Sequence, residues 1–170
     1  MPSFIGWVPT DPEFIDGFFE LAPMSPADVV YDLGSGDGRL LFSAVEKGAG
    51  RAVGIDIDAV RVLTAREEAK KKDVGDKVTF LEGDVLQANL ADATVIFCYL
   101  LTTASAALKP KFEAELEPGT RVVMESFPVP GWKPVRTYEM DYGIGYRSFY
   151  LYVMPPQYAE EQPTYTNEYK

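Results

Sequence analysis

The chain has 170 residues, 26 acidic against 16 basic, for a formal charge of −10 at pH 7. With 46% hydrophobic residues it has the composition of one ordinary globular domain, large enough for a real core and too short for a separate substrate domain. Histidine is absent and cysteine occurs once, at Cys98, which excludes Ser-His-Asp and Cys-His nucleophile systems, an ordinary zinc site and an internal disulfide. A lone cysteine favours a reducing compartment, so a cytoplasmic protein is expected. Residues 1–22 carry Asp11, Glu13, Asp16 and Glu20 but no Lys or Arg, unlike a signal or transit peptide. No apolar run reaches the roughly 18 residues of a membrane span. The acidic balance disfavours nucleic acid as a substrate; it suits basic protein segments as partners, or else serves plain solubility.

In chain order, Phe14, Ile15, Phe18, Phe19 and Leu21 lie on one face of a predicted helix over 11–22, with Asp11 as its cap and Pro12 in its first turn. A strand over 28–33 carries Asp32 near its end and runs into Gly34-Ser35-Gly36-Asp37-Gly38, then a helix over 38–47. Glycines at alternate positions let the backbone approach a ligand closely, and the helix amides behind them suit a carboxylate. The spacing is G-x-G-x-G rather than the dinucleotide G-x-G-x-x-G, since Arg39 stands after Gly38. The next strand, 51–56, ends on Asp56 with Ile57 beside it, and a carboxylate there can accept both ribose hydroxyls of a nucleoside. A helix over 58–72 and a strand over 77–82 lead to Asp84 and Val85, placed to meet an adenine through a carboxylate and the main chain. Either Asp56 or Asp84 alone would also suit a helix cap.

A fourth strand is predicted over 93–99. Leu101, Leu108, Phe112 and Leu116 then recur at helical spacing, and Pro110 predicts two short helices or a kink. A strand over 121–127, a loop over 128–134 holding Trp132, and strands over 135–141 and 146–154 follow. Strands alternating with helices predict an α/β fold: a seven-stranded, mostly parallel sheet, helices on both faces, and an antiparallel C-terminal hairpin. Three segments are expected: an arm and helix over 1–26 covering the ligand site, a main domain over 27–154, and a flexible tail over 155–170, rich in Pro, Glu, Tyr and Thr.

The run Asp32-Leu-Gly-Ser-Gly-Asp-Gly-Arg39 resembles motif I of class I S-adenosylmethionine (SAM) methyltransferases. Further elements are Trp7-Val8-Pro9-Thr10, Tyr99-Leu-Leu-Thr102, Leu108-Lys-Pro-Lys, Leu116-Glu-Pro-Gly-Thr-Arg-Val-Val123 and Gly131-Trp132. Over about residues 7–153 the chain resembles the small prokaryotic protein-lysine methyltransferases related to the eukaryotic mitochondrial lysine methyltransferases. The resemblance implies a Rossmann-like methyltransferase sheet, SAM as cofactor, and exposed protein lysines as acceptors over a broad range. It places SAM against Thr10, Asp32, Gly34, Ser35, Gly36, Gly38, Asp56, Ile57, Asp84 and Val85. Met124-Glu-Ser-Phe127 departs from the Ser-His-x-Phe expected in such relatives. Phe97-Cys-Tyr-Leu-Leu101 lacks the Asn/Asp-Pro-Pro-aromatic run of amide and adenine methyltransferases.

Without histidine, the acceptor amine loses its proton to Tyr99, Glu125 or bulk water, with Tyr99 favoured as an orienting hydroxyl and channel wall. Trp7 and Trp132 are expected to line the same channel, where aromatic faces attract cations, or else to pack the arm and the loop. A small-molecule methyltransferase and a noncatalytic SAM-binding module stay open as alternatives; a nicotinamide oxidoreductase is disfavoured by the glycine spacing.

Overall fold

The computed structural model describes residues 10–160. Its main sheet has five parallel strands: β1 (Val29–Leu33), β2 (Arg51–Asp56), β3 (Val78–Glu82), β4 (Val95–Cys98) and β5 (Arg121–Glu125). Two more, β7 (Arg136–Asp141) and β8 (Tyr146–Val153), form the C-terminal hairpin, and β8 pairs antiparallel to β5. The order is β3-β2-β1-β4-β5-β8-β7. Strand order reverses between β1 and β4, which opens a crevice at their carboxyl ends.

Helices α1 (Pro12–Leu21), α2 (Arg39–Glu46) and α3 (Ala59–Lys71) pack on one face of this sheet; α4 (Thr102–Glu115) packs on the other. Strand alternation decides which residues meet which layer. On β1, Val30 joins the three-helix core while Tyr31 and Leu33 join the α4 core. The phenylalanines of α1 reach across the second half of the sheet: Phe18 lies 4.9 Å from Phe97 and 5.2 Å from Phe149 between ring centroids, and Phe19 lies 5.5 Å from Phe97. Glu20 near the end of α1 bonds Arg136 at the start of β7. The head of α1 therefore stands at the crevice end of the sheet, and its tail at the opposite end.

Two features differ from the sequence expectation. Pro110 does not break α4, which runs unbroken from Thr102 to Glu115. Pro110 and Ala106 sit on the exposed side of the helix, so the Ala106 carbonyl that loses its amide partner faces water. The second difference is a two-stranded ribbon of β6 (Trp132–Lys133) and β9 (Gln157–Tyr158). Residues 157–158, expected within a flexible tail, are held because Glu113 Oε1 accepts from both Trp132 Nε1 at 3.0 Å and the Tyr158 hydroxyl at 3.2 Å.

Gly17 marks the closest approach of α1 to the sheet: a Cβ there would lie 2.3 Å from the ring of Phe149, which is fully buried. Alanine in a helix ordinarily gains about 1 kcal/mol over glycine. Here the clash reverses the sign, and Gly17→Ala is expected to cost about 1–3 kcal/mol, read as a lower denaturant midpoint in equilibrium unfolding.

Candidate active site

Five side chains converge at the carboxyl ends of the strands. Asp32 on β1, Asp56 on β2 and Glu125 on β5 share the parity of Val30, Ala52 and Val123, so all three face the three-helix layer. Tyr99 continues the alternation of Phe97 just past β4, and Arg147 has the parity of Phe149 on β8. One face of one sheet thus gathers three carboxylates, a phenol and a guanidinium.

The carboxylates are buried together. Burial, and then the charges of Asp56, Glu125 and Asp37, push the Asp32 carboxyl up to about 8. Glu125 is fully buried; its Oε1 accepts from Arg147 Nη1 at 2.6 Å, while Oε2 has no hydrogen-bond partner. Burial raises the Glu125 pKa, Arg147 offsets this only in part, and Asp11 at the head of α1 adds to it. Carboxylates withdrawn from water without enough positive charge to answer them create a demand for a cation.

The glycine loop lies against this cluster. Gly34, Gly36 and Gly38 all take left-handed conformations, with φ of +90°, +56° and +85°. The Gly34 and Ser35 amides both donate to the Ile55 carbonyl, at 2.8 and 3.0 Å, and the Gly36 amide donates to Asp56 Oδ2 at 2.9 Å. Ser35 packs over Gly54, where a Cβ would come within 2.6 Å of Ser35 Oγ, and that hydroxyl is buried without a partner. Asp37 binds Arg39, and Arg39 Nη1 reaches the Thr10 carbonyl at 3.3 Å, pinning the approach to α1 onto the loop. The Arg39 amide at the start of α2 donates to Asp37 Oδ1 at 3.2 Å, so the protein's own carboxylate takes the helix-start amide that was expected to meet a ligand.

The other expected residues fall into place unevenly. Asp58, not Asp56, caps α3, accepting from the Val60 and Arg61 amides at 2.9 and 3.1 Å. Asp56 Oδ1 instead accepts from the Asp58 amide and from Arg61 Nη2, both at 2.9 Å. Ile57 beside it is 61% exposed, an apolar platform at the crevice. Asp84 is exposed and its Oδ1 holds the Leu86 amide at 2.9 Å; Val85 packs partly against the α4 core. Trp132 does not line a channel to the cluster. It is 3% exposed, on the opposite face of the sheet, with its ring 5.4 Å from Tyr152 and 6.3 Å from Phe112. Trp7 lies outside the described residues. Arg147 was not anticipated: it belongs to no motif, and only the β5–β8 pairing brings it to Glu125.

The model of the ANTKMT methyltransferase domain matches residues 32–136, from the glycine loop to the start of β7. The chain belongs to this family. It has the fold and the glycine-rich first loop of a SAM-dependent methyltransferase. It is 36% identical over 151 residues to a protein-lysine N-methyltransferase of Saccharolobus islandicus, covering 88% of this chain and 94% of that one. It is 35% identical over 104 residues to the mouse adenine nucleotide translocase lysine N-methyltransferase, but spans only 45% of that protein. Among solved structures, an RNA methyltransferase from Salinibacter ruber bound to S-adenosyl-L-homocysteine superposes with a TM-score of 0.83 at 38% identity, over 91% of this chain and 98% of that one. The methyltransferase's own geometry fits a cationic nucleoside cofactor: left-handed glycines and a buried acidic cluster meet in one crevice.

The Asp32 carboxyl gives the free protein a pH signature. Its folded pKa stands above the unfolded value of 3.8, so between about pH 4 and 8 the unfolded chain releases a proton the native state keeps. Stability therefore falls as pH rises through that window, by up to about 1.4 kcal/mol per pH unit. Histidine is absent and contributes nothing there. Chemical unfolding from pH 5 to pH 8 is expected to show this decline in the wild type and a clearly shallower one in Asp32→Asn.

Proposed function

We propose that this methyltransferase moves methyl groups from SAM to the side-chain amines of protein lysines, over a broad range of acceptors. The observation that carries the reading is the buried carboxylate cluster on the glycine loop, which calls for a cation, with Tyr99 beside it. The near full-length likeness to the archaeal protein-lysine N-methyltransferase supports lysine as the acceptor.

In this reading Asp32, Gly34, Ser35, Gly36 and Gly38 hold the methionine half of SAM, with Thr10 closing the crevice from the side of α1. Asp56 takes the ribose hydroxyls as Arg61 yields part of its hold on the carboxylate. Ile57, Val85 and Asp84 receive the adenine. The sulfonium supplies an activated methyl group on a good leaving group, so what is left to the protein is orientation and delivery of an uncharged amine. The Tyr99 hydroxyl orients that amine. Glu125 Oε2, buried without a partner, is the acceptor nearest to hand for its proton. The free, buried Cys98 supports a reducing, cytoplasmic setting, and among the described residues no helix is long and apolar enough to cross a membrane.

A second acceptor has one observation in its favour, the Salinibacter ruber neighbour described as an RNA methyltransferase. The charge of −10 opposes a polyanionic substrate. Isotope-labelled SAM offered with purified basic proteins, bulk RNA and a metabolite extract separates the readings. Label on lysine Nζ, located by mass spectrometry and lost in Asp32→Ala, is the expected result. Label confined to RNA or to small molecules overturns it. Asp56→Ala is expected to weaken SAM binding by about tenfold to a hundredfold, measured by calorimetry, as hydrogen bonds to a charged acceptor are lost.

A further inference from the structure

Arg147 occupies the second position of β8 and is fixed from three sides. Its Nη1 donates to Glu125 Oε1 at 2.6 Å, and its guanidinium carbon lies 4.0 Å from the centre of the Phe14 ring and 5.7 Å from that of Tyr99. Helix α1, the end of β4 and the end of β5 thus each supply one wall. Burial works to lower its pKa, but Glu125 and the Tyr99 hydroxyl outweigh burial and hold it above the ordinary value. The other charged groups around the pair are Asp11 at the head of α1 and Asp32 on β1. On the hairpin side, Met140 of β7 stands opposite Arg147, and Tyr142 packs edge-on against Phe14 at 5.3 Å.

We infer that Arg147 is a positioning residue of the methyl-transfer site: it clamps Tyr99 and Glu125 and sets a permanent positive charge beside the place where the acceptor must sit. A fixed cation repels an ammonium and leaves a neutral amine undisturbed, so the site selects the protonation state that can attack. The chain has no histidine to remove the proton inside the crevice. Glu125 Oε2 is the group left to take it, and Arg147 assists by disfavouring the charged form of the amine. This inference rests on the reading that the acceptor is an amine.

The test is the single-turnover methylation rate from pH 6 to pH 11, past the ordinary lysine pKa of about 10.4, with a purified lysine-rich histone as probe, for wild type, Arg147→Lys and Arg147→Met. SAM affinity and thermal unfolding are measured alongside. Arg147→Met is expected to move the acid limb of the rate profile alkaline by about one pH unit, a tenfold loss on the limb, with the alkaline plateau retained within about threefold. Arg147→Lys keeps the cation and is expected to leave the limb within a few tenths of a unit. Arg147→Gln, which removes the charge but keeps an N–H donor for Glu125 Oε1, serves if Arg147→Met does not fold, and is expected to show the same alkaline shift. An unmoved limb in a variant that folds and binds SAM overturns the inference, as does an equal loss at every pH, which marks a purely structural ion pair. Absence of lysine label from the wild type sinks the amine reading itself, and the inference with it.

Discussion

Strand β1 is framed by two buried aspartates four residues apart, and their opposite environments organise the molecule. Asp28, at its entry, accepts from the Ser25 amide at 2.8 Å, Thr94 Oγ1 at 2.9 Å and Arg121 at 2.8 Å. Burial pushes its pKa up, but these partners win and hold it below the ordinary carboxylate range. Asp32, at the exit, has carboxylates for neighbours and is pushed far in the other direction. A buried carboxylate costs free energy unless donors or a cation answer it. At the entry the protein supplies the answer itself, tying β1 to the loop before β4 and to β5. At the exit it does not, and the Asp32 carboxyl keeps its proton at neutral pH until a cation enters the crevice.

The fold makes that imbalance possible. Five parallel strands end on one side, and their order reverses between β1 and β4, so the ends diverge around a gap. The two-residue alternation of each strand delivers Asp32, Asp56 and Glu125 to the same face. Helix α1 then closes the far side: its phenylalanines anchor it on β4 and β8, and Phe14 at its head provides the surface on which Arg147 rests. The packing that stabilises the N-terminal helix and the geometry of the site are therefore one arrangement. That is why Gly17, with no side chain of its own, matters to both.

Much of this was legible in the sequence because the signals are local. The glycine spacing, the acidic residues ending successive strands, and the alternation of strands with helices each fit within a few residues, and the strand order follows from the family of folds they specify. Three features were not legible, each for a physical reason. Arg147 lies far along the chain from the glycine loop, and only antiparallel pairing with β5 carries it to Glu125. The Gly131-Trp132 pair looks like part of a site, but the indole fills a gap between α4 and β8 that no short pattern reveals. Pro110 reads as a helix breaker, yet on an exposed face its lost hydrogen bond is replaced by water. Local chemistry was readable; contacts between distant segments were not.

The central claim is that the crevice holds a stored demand for positive charge, centred on Asp32. Calorimetry of SAM binding at pH 7, repeated in buffers of different ionisation enthalpy, tests it directly. A cation entering beside Asp32 lowers a pKa that begins at about 8, so binding is expected to release a substantial fraction of a proton, and less in Asp32→Asn. Binding with no proton released, or with proton uptake, would contradict the account.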